Sequence, residues 1–537
     1  MNDATLKNKR IQSWLILILV VLNIIAFIFI SNKLYVRFDM TEGKKYSISA
    51  ATKNLLKKLD NTLVIEYYYN DKSKEISGVA QVIQYITDML REYENAGKGY
   101  VNVVIRELSF QKAGDQALIS ELEVKGIKQY QLSQQEQAEA KSLLGFSGMI
   151  IKYKDNETVI PAIFQDMGFE FRIDSEIAKL MGGEEKVGVL FSSSVGTLEN
   201  EFKYIRQVVE REFTDVRVLP KNHNIPPELT VLLVIGGKDL SDYDILQIDQ
   251  FLMNGGKVFF AVNGVDVNVS QYGMYATPGD TKIIDLLQHY GIKLNRNLVG
   301  DNQSYNGVRQ GFSMLRYPLW VKIKSTNINK DSAVVSGIDR LNLLWTSSID
   351  IMDSAKDKAH FLFKTTNDAW AQDQNYQVDL DSYKYPVQQG GNTYQLAVAF
   401  DGNVRSYFED KDIPTNEVNE KEQFTANRTA SGNAKFIVVG CEQFLHSNFA
   451  GNDEFIFMMN GLDWLSKDGA LIEIRNKGKF SQPLDKIKDM RTYGAVKSFI
   501  IGFSTFGVAV LFIILGVVLF IMRQMRNKQV YEHYKKD

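Results

Sequence analysis

The most regular hydrophobic pattern of the chain lies near its middle, at residues 231–262. Residues 231–235 form an unbroken run of valine, leucine and isoleucine, which is typical of a strand buried on both faces of a sheet. Ser241 predicts the N-cap of a helix that ends at Gly255-Gly256, where a positive φ is needed. Residues 257–262 form a second apolar run. The pattern therefore predicts a right-handed β-α-β crossover.

Short apolar runs and helical spacings alternate on both sides of this unit. Further strands are predicted at residues 186–191, 216–219, 395–400 and 435–439, and helices at residues 198–213, 283–289 and 454–464. Such alternation is typical of a doubly wound sheet covered by helices. We predict a flavodoxin-like α/β domain in two parts, residues 184–300 and 394–475. Between them the regular alternation fails, which predicts a β-rich insertion at residues 301–393.

A second α/β pattern precedes this domain. Strands are predicted at residues 63–69, 100–108, 148–153 and 158–163, and helices at residues 50–59, 76–93, 116–123 and 175–180. This order predicts a thioredoxin-like α/β domain over residues 32–183, with Ser49 as the N-cap of its first helix. The domain lacks a Cys-x-x-Cys pair, which excludes thiol redox catalysis there. Residues 129–139 are polar and rich in glutamine, and are predicted as a loop or an exposed helix.

The two ends of the chain are far more apolar than its body. Residues 14–30 contain no charged residue, and Asn23 is their one polar side chain. Residues 498–522 also contain no charged residue. At 1.5 Å per residue the first run reaches about 25 Å, enough to cross a slightly thinned bilayer. We predict transmembrane helices at residues 14–31 and 498–522, the second preceded by a linker at residues 476–497. A cleaved signal peptide is the alternative for the first run, although residues 28–30 are too bulky for a cleavage site.

Basic residues at the outer flanks of both runs predict the orientation. They place residues 1–13 and 523–537 in the cytoplasm, and the body between the spans on the extracytoplasmic side. Small residues recur on one face of the second span, namely Ser498, Gly502, Ala509 and Gly516. This face is a candidate packing surface for the first span or for a permease, with Asn23 as a hydrogen-bonding residue. The alternative is that glycine is simply common in spanning helices.

Composition excludes several classes of function. The formal net charge of −2 over 537 residues gives no basic field for nucleic acid. One cysteine, Cys441, excludes an intrachain disulfide framework and a cysteine-rich zinc site, and five histidines argue against a multi-histidine metal centre. The chain also lacks a Gly-x-x-x-x-Gly-Lys-Ser/Thr loop, so ATP chemistry must lie on another polypeptide. We predict no cofactor.

Candidate binding residues follow the predicted parallel strands, because ligands of open α/β sheets bind beyond the carboxyl ends of the strands. These residues are Ser192, Ser193, Gly236, Gly237, Asn263, Cys441 and Glu442. They suit either a shallow ligand or partner surface or simple turns. Cys441 with His446 is the candidate for a nucleophile and its base. Since no glycine follows Cys441 and His446 is only five residues away, we do not expect an enzyme.

Several stretches carry a family resemblance. They are Arg37-Phe38-Asp39-Met40-Thr41 followed by Tyr46-Ser47-Ile48-Ser49, then Gly255-Gly256-Lys257, and finally Ile437-Val438-Val439-Gly440 with Asn460-Gly461-Leu462-Asp463-Trp464-Leu465. The chain resembles the gliding-motility-type ABC-transporter auxiliary components. The soluble region of that family contains a domain shared with intraflagellar-transport proteins.

The resemblance implies a membrane-anchored, non-ATPase accessory subunit of an ABC transporter. Its partners would be ABC permease and ATPase subunits in the bacterial cytoplasmic (inner) membrane, and its periplasmic body would bind cargo or a cell-envelope component. A gliding-motility role is implied only by the family. Two alternatives stay open, an anchored amidotransferase-like hydrolase that uses Cys441, and a purely structural envelope scaffold.

Overall fold

The computed structural model describes residues 46–136, 139–166, 168–181, 186–213, 215–270, 273–383, 389–467, 472, 516–518 and 520–522. The chain divides into two compact units, residues 1–478 and 479–537, and the described residues of the second unit are helical. Within the described ranges, no helix combines the length and the hydrophobicity that crossing a bilayer requires. The span predicted at residues 14–31 lies outside these ranges, as does that at 498–522 apart from its six helical residues.

The N-terminal part of the first unit is a four-stranded mixed sheet with helices. Its elements are α1 (Ala50–Leu56), β1 (Leu63–Asn70), α2 (Ser77–Ala96), β2 (Val101–Leu108), α3 (Ala113–Lys125), β3 (Tyr130–Glu136), β4 (Glu139–Gly145), β5 (Ser147–Tyr153), β6 (Asn156–Ile160) and α4 (Phe169–Leu180). The sheet has the order β2-β1-β5-β6, in which β1 and β2 are parallel and the other pairs are antiparallel. Ser49 caps α1 as predicted, because its side chain accepts from Thr52 N.

The prediction of a loop or exposed helix at residues 129–139 was wrong. This stretch forms most of an antiparallel hairpin, in which β3 pairs with β4 from Tyr130 opposite Gly145 to Glu136 opposite Glu139. A polar strand carries little hydrophobic signal of its own, and its partner strand lies beyond the predicted stretch. The hairpin is therefore not visible in the hydrophobic pattern, although its two strands are adjacent in sequence.

The second part of the first unit is built on a seven-stranded sheet. Its first elements are β7 (Lys186–Ser192), α5 (Lys203–Glu212), β8 (Asp215–Leu219), β9 (Val231–Gly236), α6 (Asp242–Met253), β10 (Lys257–Ala261), β11 (Val265–Ser270), β12 (Gly273–Pro278), α7 (Ile283–His289), β13 (Ile292–Leu294) and β14 (Leu298–Asp301). Its later elements are β15 (Tyr305–Gln310), β16 (Ser313–Lys324), β17 (Arg340–Leu344), β18 (Ile349–Ile351), β19 (Ala359–Lys364), β20 (Ala369–Gln372), β21 (Gln395–Arg405), β22 (Ser431–Val439) and α8 (Asn452–Lys467).

The large sheet has the order β19-β21-β22-β10-β9-β7-β8. The five strands from β22 to β8 are parallel, and β21 and β19 extend the sheet as antiparallel strands. When the parallel strands are numbered along the chain, their spatial order is 2-1-3-4-5. The predicted β-α-β unit is thus present, and every residue of β9 is buried. The mixed α/β class predicted from the sequence is confirmed.

Helix α6 begins and ends at the residues that the sequence predicts. Ser241 accepts from the backbone nitrogen of Asp244, and the Asp244 side chain accepts from the backbone nitrogen of Ser241, which completes a capping box. At the other end Gly255 has φ 91°, a conformation that glycine adopts without steric cost.

The stretch predicted as an insertion is less separate from the sheet than expected. Strand β19 lies within residues 301–393, yet it pairs with β21 at the edge of the large sheet. The same part of the chain contributes to three small sheets, formed by β15-β16-β17, by β14 with β20 and by β13 with β18. The last two sheets join strands that are distant in sequence, so a local pattern does not reveal them.

A buried carboxylate ties α6 to two distant segments. Asp249 is fully buried, and its oxygens accept from the hydroxyl of Tyr290 at 2.6 Å, the hydroxyl of Ser406 at 2.6 Å and the backbone nitrogen of Tyr407 at 2.7 Å. Burial, followed by the nearby Asp249 charge, raises the pKa of Tyr290 well above its ordinary value. The phenol therefore stays protonated and donates. These bonds fix the start of the long loop at residues 406–430 against α6.

We expect Asp249→Asn to destabilise the full-length protein by about 2–4 kcal/mol, because an amide nitrogen replaces one oxygen among several buried donors. Chemical denaturation followed by tryptophan fluorescence should show a lower midpoint with an unchanged slope. Asp242→Asn on the same helix is the matched control, since that side chain is 65% exposed and should change the midpoint little. Equal midpoints for the two variants would contradict the assigned role of Asp249.

Candidate functional site

The large sheet changes direction between β7 and β9. From β7 the chain continues to β8 on one side, and it then returns to β9 on the other side of β7. The carboxyl ends of such adjacent strands are where open α/β sheets bind ligands. We call this edge of the sheet the switch-point edge. All seven candidate residues lie at or shortly after the carboxyl ends of parallel strands: Ser192 and Ser193 at β7, Gly236 and Gly237 at β9, Asn263 after β10, and Cys441 and Glu442 after β22.

The segments after β7 and β9 are locked to each other. Ser192 O accepts from Lys238 N at 3.0 Å, and the Ser192 hydroxyl donates to Lys238 O. Gly236 has φ 72°, and a Cβ atom there would collide with Ser192 O and with the Glu442 carboxylate. A Cβ atom on Gly237 would collide with the Thr281 hydroxyl. The two glycines therefore permit close packing of protein against protein at this point.

Glu442 lies at the centre of a buried polar network. Its side chain accepts from the Ser194 hydroxyl at 2.9 Å, and its backbone nitrogen donates to Asn263 Oδ1 at 2.8 Å. Asn263 also donates through Nδ2 to Gln443 Oε1 at 3.0 Å. Residue Glu442 is only 1% exposed, and this burial raises the pKa of its carboxyl to about 7.

Asp266 adds a second carboxyl to the network. Burial raises its pKa above the ordinary value, whereas Lys238 and the Ser194 hydroxyl lower it. The Asp266 charge in turn contributes to the raised pKa of Glu442. Ser194 thus interacts with both carboxyls, and the two groups resist being ionised together. We call Ser193, Ser194 and Asp266 the mouth of the site, because these residues are half-buried whereas Glu442 behind them is buried.

This arrangement suits hydrogen bonding more than metal binding. A carboxyl with a pKa near 7 can either donate or accept near neutral pH. Across the described ranges there is no group of three or more histidine, cysteine, aspartate or glutamate side chains that could hold a metal ion. The candidate residues therefore do not form an open binding surface. They belong to a buried network that reaches solvent through the small half-buried mouth. The buried candidate residues are Ser192, Gly236, Gly237, Asn263, Cys441 and Glu442.

Cys441 has the environment of a structural thiol. Its side chain is fully buried and donates to Leu344 O at 3.2 Å, and burial raises the pKa of the thiol far above the ordinary value. A nucleophilic cysteine needs a lowered pKa and access to solvent. His446 stacks on Phe449 with ring centroids 4.7 Å apart, and its Nδ1 accepts from Asn448 N at 3.2 Å. That hydrogen bond uses one ring nitrogen within its own loop.

Sequence reasoning missed two members of the site and left another group untested. Asp266 and Lys238 were not predicted, although each lies within five residues of a predicted strand end. Asn23, Ser498, Gly502 and Ala509 lie outside the described residues. Gly516 lies in helical backbone, and a Cβ atom added there would contact nothing within 4 Å.

Comparisons with known proteins identify relatives over most of the chain. Residues 184–466 match the profile of a family described as an ABC-type uncharacterized transport system, and residues 42–152 match a domain of unknown function. A protein of Borreliella burgdorferi, described as uncharacterized, is 26% identical over 404 residues, which cover 73% of this chain and 78% of that protein. Among solved structures, a ThuA-like protein from Bacteroides uniformis is 9% identical with a TM-score of 0.30, covering 52% of this chain and 91% of its own.

The raised pKa of Glu442 predicts a pH-dependent stability. Between pH 4.5 and about 7 the folded protein binds this proton more tightly than the unfolded chain does, so the free energy of unfolding falls as the pH rises through that window. Glu442→Gln cannot titrate there. We therefore compare the free energy of unfolding of Glu442→Gln with that of the wild type at each pH. This difference should shift in favour of the variant by on the order of 2–3 kcal/mol between the acidic and the alkaline side of the window.

Chemical denaturation of the full-length protein at several pH values measures this difference. Glu199→Gln is the control, because Glu199 is exposed and lies on the segment that follows β7. Parallel pH profiles for the wild type and Glu442→Gln would show that the buried carboxyl does not titrate in this window.

Proposed function

Because the chain belongs to the auxiliary family of the ABC-type uncharacterized transport system, we propose that it is a non-ATPase accessory subunit of an ABC transporter. The family match over residues 184–466 carries this proposal, since it covers all seven strands of the large sheet and its switch-point edge. The chain contains no phosphate-binding loop of the Walker A kind, so the ATP-hydrolysing partner would be a separate subunit.

The strand orders support the finer fold assignment. The order 2-1-3-4-5 of the parallel strands is that of a flavodoxin-like sheet. In the smaller sheet, the order β2-β1-β5-β6 with a parallel β1–β2 pair supports a thioredoxin-like domain. We propose that this N-terminal domain is structural or partner-binding, since it contains no cysteine.

We further propose that residues 14–31 and 498–522 anchor the protein in the bacterial cytoplasmic membrane, with both termini cytoplasmic and the body extracytoplasmic. The uncharged apolar runs support this arrangement. Val517, Val518, Phe520, Ile521 and Met522 are each 44–63% exposed in the described helical residues of the second unit. Apolar side chains of this size are stabilised by lipid rather than by water.

In this arrangement the protein acts by binding and not by chemistry. The spans would pack on the permease through the small residues of the second run, and the body would recognise cargo or an envelope component through the mouth of the switch-point site. The buried thiol of Cys441 supports a non-enzymatic role over the hydrolase alternative. A structural scaffold differs from an accessory subunit in having no transporter partner, and a gliding-motility role stays a prediction from the family resemblance.

Affinity purification tests the accessory role. We expect the tagged full-length protein, extracted from its own cells in a mild detergent, to co-purify an ATPase and a multi-span permease. Gly502→Leu should reduce that recovery at least severalfold, because added bulk keeps helix backbones apart. Ser504→Leu is the matched control, since residues two apart in an ideal α-helix differ by about 200°, which would place residue 504 on another face of the predicted span.

Recovery of the protein without any ATPase or permease would favour the scaffold. Equal effects of the Gly502 and Ser504 substitutions would overturn the assigned packing face while leaving the accessory role intact.

Cysteine labelling tests the topology. The native Cys441 is fully buried and should stay silent toward a membrane-impermeant maleimide. Val418→Cys introduces a thiol at a side chain that is 75% exposed, and we expect its labelling in intact cells whose outer layer has been permeabilised. Lys535→Cys, in the predicted cytoplasmic tail, should label only after lysis. The reverse pattern would place the body in the cytoplasm.

A further inference from the structure

The hairpin formed by β15 and β16 ends in an exposed apolar tip. Phe312 is fully exposed and Met314, two residues further on, is 69% exposed. The strands pair up to Gln310 opposite Ser313, so the turn consists of Gly311 and Phe312. Gly311 has φ 61°, which suits a two-residue hairpin turn, and a Cβ atom added to it would contact nothing within 4 Å. The tip therefore projects from the described part of the chain.

The base of this hairpin is firmly held. Tyr317 and Leu319 of β16 are buried in an apolar cluster. The Tyr317 hydroxyl donates to Val378 O at 2.7 Å and accepts from Trp345 Nε1 at 2.7 Å. Strand β17 pairs with the far end of β16 and makes the sheet three-stranded. The apolar tip is thus presented on a rigid support, so binding through it costs little ordering.

Two arginines flank the apolar tip. Arg309 lies opposite Met314 in the register, and Arg316 follows Met314 on the same face of β16. The Nε of Arg309 donates to Gly311 O at 3.3 Å, which brings its guanidinium to the turn. The guanidinium of Arg316 lies 5.2 Å from the centre of the Tyr305 ring. Neither arginine forms an ion pair with any residue that the structure describes.

The surrounding segment is cationic, although the chain as a whole has a formal net charge of −2. Residues 302–330 contain no aspartate or glutamate. Their basic residues are Arg309, Arg316, Lys322, Lys324 and Lys330. Such a local excess of positive charge attracts an anionic surface.

The shape of the tip favours a lipid surface over a protein partner. A stable protein interface buries about 800 Å² on each partner, whereas a whole aromatic side chain buries only about 150–250 Å². A two-residue turn therefore offers too little area for a stable protein complex. A bilayer needs no matching pocket, because its interface accommodates an aromatic side chain and its anionic headgroups pair with arginine.

We propose that the tip of the β15–β16 hairpin inserts into the interfacial layer of an anionic bilayer. Phe312 and Met314 enter the boundary between headgroups and acyl chains. Arg309 pairs with lipid phosphates, and Arg316 adds positive charge behind it. This membrane contact is additional to the predicted spans and does not depend on the accessory-subunit role.

Fluorescence quenching tests the proposal. Full-length Gln310→Cys is labelled with the fluorophore NBD and placed in nanodiscs that contain roughly one-third phosphatidylglycerol and doxyl-labelled phosphatidylcholine. The native Cys441 is fully buried and should stay unlabelled. We expect the doxyl lipid to lower the fluorescence about twofold, because the label sits beside an inserted tip. The control label, Ser325→Cys, lies past the far end of β16, about 35 Å along the strand, and should not be quenched.

Substitutions at the tip separate the apolar from the charged contribution. Phe312→Ser should remove most of the quenching of the Gln310→Cys label, whereas Phe312→Leu stays apolar and should retain it. Because Phe312 is fully exposed, neither change threatens the fold. Arg309→Gln should remove the preference for anionic over purely zwitterionic nanodiscs. Arg340→Gln, exposed at the other end of the same sheet, should preserve that preference.

The proposal is overturned if the label at residue 310 is not quenched in anionic nanodiscs, or if Phe312→Ser and Phe312→Leu are quenched equally. A label that is shielded only when another protein co-purifies would instead identify a protein partner and would also overturn it. Absence of transporter subunits after affinity purification would leave the quenching unchanged, so this proposal and the accessory role fail separately.

Discussion

The burial of β9 on both faces constrains everything else in the body. Val231, Leu233 and Ile235 pack into one apolar layer, and Leu232 and Val234 pack into the other. The backbone groups of the strand are paired with β7 and β10, so no polar side chain is needed within the sheet. In β7, β9 and β10 the polar side chains accordingly lie at the ends of the strands, Lys186 and Lys257 at their starts and Ser192 at a carboxyl end.

The two edges of the large sheet differ in how tightly the segments beyond the strands are packed. At the switch-point edge, close contact between the segments after β7 and β9 leaves Glu442 buried behind a small mouth, and its own network satisfies it. At the opposite edge the short turn at Gly255-Gly256 leaves space, which a loop from residues 406–430 only partly covers. The edge that folds of this kind use for ligands is therefore the tighter one here. A cavity of about 560 Å³, lined by Gln247, Phe251 and residues 423–426 among others, lies where the strands begin.

The features that the sequence predicted are those whose interactions join residues close together in the chain. Ser241, Gly255 and the apolar run of β9 act within a few residues, so the sequence pattern identified the cap, the turn and the buried strand. The candidate residues at the switch-point edge followed from the same strand ends. The β3–β4 hairpin is polar and carries little hydrophobic signal, and the place of β19 in the sheet depends on pairing with a distant segment, so the hydrophobic pattern reveals neither. The cavity needed even more, since residues 224 and 426 meet only in the folded chain.

Helix α6 shows why polarity in a sequence does not imply contact with water. Asp244, Gln247 and Gln250 recur every three residues, a spacing that a helix exposed on one face would also show. All three are buried, because loops cover this stripe: Asp244 Oδ1 accepts from Asn222 N, Gln247 Oε1 accepts from Ile225 N, and Gln250 pairs with Thr429. The helix therefore packs on the sheet with one face and organises two loops with the other. Gln247 also interacts with the Tyr243 side chain, and it lies beside a cavity where the loops do not meet. The cavity is thus a consequence of how a buried helix satisfies its polar face.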